Sequence, residues 1–92
     1  MKTTRLECRL YGNMNLFDLK KDVIIDIDGT INENGVIQDD VDVVIVDKKT
    51  GLDFITIDSM DVIKHLLNYY YDDICQTVEF KDALAYLRSS EE

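Results

Sequence analysis

The chain contains no proline and no tryptophan, and its 92 residues include one histidine, two cysteines and four glycines. Without proline there is no Pro-rich spacer or recognition segment. Cys8 and Cys75 are too few for a disulfide framework and form no C-x-x-C pair. With His65 as the lone imidazole they match no zinc-ligand spacing. Two reduced thiols, no metal and no cofactor are expected, and His65 is assigned no role. No run of eighteen apolar residues exists, and the segment MKTTRLECRLYG lacks the apolar stretch of a secretory signal. A soluble, cytoplasmic protein is the expectation.

Positive charge is also scarce. Ten Lys and Arg stand against nineteen Asp and Glu, for a net charge of −9. The imbalance is uneven. Residues 1–21 carry Lys2, Arg5, Arg9, Lys20 and Lys21 against Glu7 and Asp18, a balance of +3, while residues 22–92 balance at −12. Such a chain is repelled by nucleic acid and by anionic membranes and attracted to basic surfaces. Direct binding of nucleic acid is not expected on this ground. At 92 residues, 46% of them apolar, the chain suffices for one packed domain, here residues 1–92.

Along the chain, Thr3–Tyr11 alternates Leu6, Cys8 and Leu10 with Arg5, Glu7 and Arg9, the period of a strand with one buried face. Gly12-Asn13 is expected to break it. Asn15–Lys21 reads equally as a helical turn or as a packed loop. Val23–Asp28 is a second strand, with Val23, Ile25 and Ile27 on one face and Ile24, Asp26 and Asp28 on the other. Asn32-Glu33-Asn34-Gly35 is turn chemistry, since Asn and Gly tolerate positive φ. Val41–Asp47 and Leu52–Ile57 form a hairpin closed by Lys48-Lys49-Thr50-Gly51. Asp58 or Ser59 caps a helix with Asp61 in its first turn and a stripe of Ile63, Leu66, Leu67 and Tyr70. Tyr69 to Asp73 ends that helix. Thr77 caps a second, with Phe80, Leu84 and Leu87 facing inward, and the terminal Ser89-Ser90-Glu91-Glu92 is expected to fray. Four strands followed by two helices predict an α+β fold with a mainly antiparallel sheet.

Val23–Ile31 (VIIDIDGTI) resembles the first motif of the haloacid-dehalogenase-type phosphatases, an apolar strand ending in D-x-D-G-T. That resemblance implies Asp26 as nucleophile and Asp28 as general acid around a magnesium ion. The family's parallel sheet, however, needs helical crossovers between strands, and here a short turn-rich segment leads to the next strand. No later acidic pair follows a strand. Aligning Gly29 with the invariant glycine of a calcium-binding EF-hand loop leaves Ile24 and Gly35 at two key ligand positions, so that reading fails as well. The preferred reading is a strand end entering a turn, with no catalytic residue.

What stands out instead is Asp22–Asp47, which holds eight acids and no Lys or Arg. These are Asp22, Asp26, Asp28, Glu33, Asp39, Asp40, Asp42 and Asp47, and no base intervenes to form a local salt bridge. The pairs Asp26/Asp28 and Asp40/Asp42 have the i, i+2 spacing of one strand face, about 6.6–6.8 Å. Each strand of B-DNA adds a charge about every 3.4 Å of axis, so carboxylates on neighbouring elements approach the charge density of a phosphate backbone. Asp53, Asp58, Asp61, Asp72 and Asp73 extend the track. By size and charge layout the chain is similar to the small acidic DNA-mimic and anti-restriction proteins of bacteriophages. The resemblance implies a non-catalytic inhibitor of host defence, acting by protein–protein interaction in the host cytoplasm. It would occupy the DNA site of a restriction nuclease or a histone-like nucleoid protein. Two alternatives belong to other classes: a magnesium-dependent phosphatase-like site at Asp26/Asp28, and an acidic antitoxin-type module for a basic protein. The basic amino-terminal segment is expected to face away from the partner or to make a subunit contact, possible homodimer formation being suggested by free sheet edges. Tyr70 fits the buried stripe, leaving Tyr69 or Tyr71 as an exposed anchor.

Overall fold

Alternation of apolar and polar residues divides the first half of the chain into two faces, and the fold follows that division. The computed structural model describes residues 2–16 and 19–89. Strands β1 (Thr3–Leu16), β2 (Leu19–Asn32), β3 (Asp42–Asp47) and β4 (Asp53–Ile57) precede helices α1 (Met60–Tyr69), α2 (Tyr71–Cys75) and α3 (Val78–Ser89). The strands form one antiparallel sheet in the order β1-β2-β3-β4. The helices cover one face of this α+β arrangement, α3 lying over β1 and β2 and α1 contacting β4.

The buried face is the one that alternation marks. Leu6, Cys8 and Leu10 of β1, Val23, Ile25 and Ile27 of β2, and Val43 and Ile45 of β3 are all buried. Ile63, Ile74, Phe80 and Leu87 close over them from the helices, with Leu66, Leu67 and Leu84 packed at the margin. The caps are local. Ser59 Oγ accepts from the N–H of Val62, and Thr77 Oγ1 accepts from the N–H of Phe80 at 3.2 Å. Gly51, in the turn between β3 and β4, has φ 74°.

Five expectations are corrected. Gly12-Asn13 does not end the first strand: β1 and β2 pair without a bulge from Thr3↔Asn32 to Leu16↔Leu19. Cross-strand bonding carries two weak strand formers through, and Asn13 Nδ2 donates to Asp22 at 2.9 Å. Residues 15–16 and 19–21 are therefore strand rather than helical turn or loop, while Phe17 and Asp18 lie outside the described residues, as do Ser90, Glu91 and Glu92. Nor does the second strand end at Asp28. It continues through Gly29 to Asn32, because a residue without a side chain lets the segment before β3 pass close by. A Cβ built on Gly29 would lie 2.9 Å from Cα, Cβ and Cγ2 of Val41. Asp40 stands in the turn before β3, so it shares no strand with Asp42. Finally, Tyr71–Cys75 is a helix of its own. The chain breaks at Tyr70 (φ −98°, ψ 10°), which carries Ile74 into the core and Tyr71 to the turn after β2.

That turn is fixed from two sides. Asn32 Oδ1 accepts from the N–H groups of Asn34 at 2.9 Å and Val36 at 3.0 Å, which satisfies the amide oxygen of a buried residue. Gly35 takes φ 78°, and the Tyr71 hydroxyl donates to its carbonyl at 2.6 Å.

Candidate acidic binding surface

The face of the sheet away from the helices is built by the other half of the alternation. Arg5, Glu7, Arg9 and Tyr11 of β1 lie opposite Thr30, Asp28, Asp26 and Ile24 of β2. Asp28, Asp26 and Ile24 in turn lie opposite Asp42, Val44 and Val46 of β3. Glu7, Asp28 and Asp42 thus occupy one row across three neighbouring strands. Asp58 follows directly on Ile57, the partner of Val43 and the last residue of β4, and so stands just beyond the end of that row. Strands lie about 4.7–4.9 Å apart, so the row sets one carboxylate about every 5 Å. The closeness arises across strands, not along them.

The row is only partly offset. Arg5 makes a two-pronged contact with Asp28, Nε to Oδ1 at 3.2 Å and the terminal nitrogen to Oδ2 at 3.0 Å, and also pairs with Glu7. The hydrogen bond and charge of Arg5 hold the Asp28 carboxyl below the ordinary carboxylate value. Arg9 Nε approaches Asp26 at 3.8 Å. No base intervenes along Asp22–Asp47, but Arg5 and Arg9 supply counter-charge across the sheet, and of the two expectations for the basic segment, facing away from the acidic surface is corrected. β1 returns alongside β2 and brings its arginines onto the acidic face. Among the described residues, no ion pair to Asp42 or Asp58 is formed.

The remaining predicted acids are spread over several elements. Asp40, beside the row, accepts the Thr30 hydroxyl at 3.0 and 3.2 Å, and Asp39 pairs with Lys64 of α1 at 3.7 Å. Glu33 is half-buried in the turn after β2, and Asp61, Asp72 and Asp73 are exposed in the first turns of α1 and α2. Asp22 and Asp47 lie toward the opposite end, near Asn13 and the β3–β4 turn. There Asp47 Oδ1 accepts from the N–H of Lys49 at 2.9 Å. Asp53 opens β4 opposite Val46. The thirteen predicted acids therefore do not form one track. Asp28 and Asp42 stand directly opposite each other, Asp40 is held at neighbouring Thr30 and Asp58 follows the end of β4, while Asp22, Asp47 and Asp53 lie elsewhere.

Sequence reasoning missed Glu7, the β1 member of the row, and Arg5, its counter-charge. The signal was present: if residues 16–19 close a hairpin, Glu7 falls opposite Asp28 by register. Beside the charged row the face turns apolar, with Ile24, Val44 and Val46 half-buried and Tyr11 exposed under Lys48, whose Nζ is 5.6 Å from the ring centroid. Of the tyrosines, Tyr69 is 74% exposed, Tyr70 lies edge-on against it at 4.8 Å, and Tyr71 is held by Gly35.

The D-x-D pair sits in mid-strand. Asp26 and Asp28 share a face as i and i+2 residues must, but each is ion-paired with an arginine of the antiparallel neighbour. No helix of the described residues is long and apolar enough to cross a membrane. Comparison with protein-family models, with curated proteins and with solved structures finds no match to this chain.

Proposed function

We propose that the chain is a non-catalytic DNA mimic that acts in the cytoplasm, the host's if it is phage-encoded. It occupies the DNA-binding site of a basic host protein, a restriction nuclease or a histone-like nucleoid protein. The observation that supports this reading is the cross-sheet row Glu7, Asp28 and Asp42, with Asp58 just beyond the end of β4 and Asp40 beside the row. Like charges directly opposite one another cost stability in a sheet, and a feature that works against folding is expected where function requires it. Arg5 offsets two members and leaves the others to solvent. A partner that grips phosphates with Lys and Arg needs no base-edge code to engage such a row.

The test is displacement of a labelled DNA duplex from a purified histone-like nucleoid protein, and protection of DNA from a modification-dependent restriction nuclease. Displacement is expected to weaken steeply with salt and to fall at least tenfold in Asp42→Asn/Asp58→Asn. An acidic antitoxin-type module would bind its basic partner without competing with DNA. If neither DNA-binding protein loses DNA, or if the double variant competes as well as the parent, the mimic reading fails. Magnesium-dependent hydrolysis of a phosphomonoester that disappears in Asp26→Asn would likewise replace it with the phosphatase alternative.

A further inference from the structure

Among the described residues, the β1 edge of the sheet is long, regular and unpartnered by any strand. It runs fourteen residues without a bulge, where strands commonly run about five or six, and proline is absent. Its backbone orientation follows from β2. The carbonyls of Asp22 and Thr30 accept from Lys48 and Gln38 on the β3 side, so the even-numbered residues of β2 direct their backbone groups that way. The odd-numbered ones, Ile25, Ile27 and Gly29, bond to Leu10, Cys8 and Leu6. The N–H and C=O groups of Arg5, Glu7, Arg9 and Tyr11 therefore point outward from the edge.

We propose that this edge pairs antiparallel with the same edge of a second copy, about a two-fold axis at Cys8. Charge complementarity selects both the occupant and the register. Side chains of like face must oppose each other, which restricts the axis to whole-residue positions. An axis at Glu7 sets Glu7 against Glu7 and Arg5 against Arg9, and one at Arg9 sets two arginines together. An axis at Cys8 sets Glu7 against Arg9 twice and Arg5 against Tyr11 twice, with Leu6 facing Leu10 beneath. An axis at Leu6 also pairs Glu7 with an arginine, but it engages only Thr3 to Arg9 instead of Thr3 to Asn13. Charges on an edge usually deter pairing; here their alternation makes the edge self-complementary. The isologous contact yields a continuous eight-stranded sheet with an acidic row on each half. It stands independently of the function proposed above.

The experiment is sedimentation equilibrium over a concentration series, where the dimer has twice the 10.6 kDa chain mass. Glu7→Arg and Arg9→Glu are each expected to raise the dissociation constant at least tenfold, and the double exchange E7R/R9E is expected to restore association. Circular dichroism checks that each variant is folded. A second measurement does not depend on the exchanges. Opposed residues at the axis form a non-hydrogen-bonded pair with Cα atoms about 4.5 Å apart, within disulfide range. Diamide, which accepts the two electrons and two protons released, should therefore link Cys8 to Cys8 in a Cys75→Ala protein at alkaline pH. A monomer at all concentrations, a dimer indifferent to the charge exchanges, or no Cys8 cross-link at dimer concentrations would overturn the proposal.

Discussion

Gly29 can be tested for why it is a glycine. In D-x-D-G-T it carries the look of a catalytic motif, yet its surroundings give a packing reason. A Cβ there meets Val41 at three atoms, Cα, Cβ and Cγ2, each at 2.9 Å. One of these is backbone and two belong to a β-branched side chain with little freedom to move. Gly29 and Val41 are themselves buried. Overpacking of this kind costs about 1–3 kcal/mol, and the backbone contact places Gly29→Ala near the upper end. For a domain of this size each kcal/mol shifts the melting temperature by about 4–8 °C, so a fall of about 10–20 °C is expected by differential scanning calorimetry. Gly12→Ala, where an added Cβ meets nothing within 4 Å, is the control and should change stability by less than about 0.5 kcal/mol. Val41→Ala removes one of the three contacts, so the Gly29→Ala/Val41→Ala pair should be less destabilised than the two single variants summed. A Gly29→Ala protein as stable as the Gly12→Ala control would refute the packing argument.

Tyr71→Phe deletes the hydroxyl that donates to Gly35 at 2.6 Å and should cost about 1 kcal/mol in urea unfolding, with increased hydrogen exchange in residues 33–36. Asp28 should titrate below the usual carboxylate value of about 3.9 and move back up in Arg5→Gln when followed by carbon-detected NMR. Because its pKa is depressed in the folded state, any stability it lends is present above the ordinary value and lost as pH falls through the folded one. Burial, with Glu79 and Asp26 nearby, pushes the Cys8 thiol up to about 11, so at pH 8 roughly a thousandth of it is thiolate and Cys75 should react with a disulfide reagent first. The corresponding contribution to stability is full below the ordinary thiol value and declines as pH rises toward 11.

Local chemistry determined a good part of this molecule. Period-two alternation marked which residues of β1 and β2 are buried, whereas β3 is apolar on both faces except at Asp42 and its buried side was decided by the sheet. Asn-Gly and Thr-Gly turns placed the chain reversals, and Ser59 and Thr77 announced the helix starts, because each of these acts within a few residues of itself. The extent of β1 and β2 was not legible. Gly12, Asn13 and Gly29 read as breaks in isolation, and their place in the ladder depends on partners supplied by the opposite strand or, at Gly29, on the approach of Val41. The same limit governed the acidic surface. Composition showed that carboxylates greatly outnumber bases, but which of them stand together is a matter of register. Glu7 and Asp28 are twenty-one positions apart in the chain and adjacent in the sheet, and Arg5 is in contact with Asp28 across twenty-three positions. Charge can be counted along a chain; its neighbours are decided by pairing.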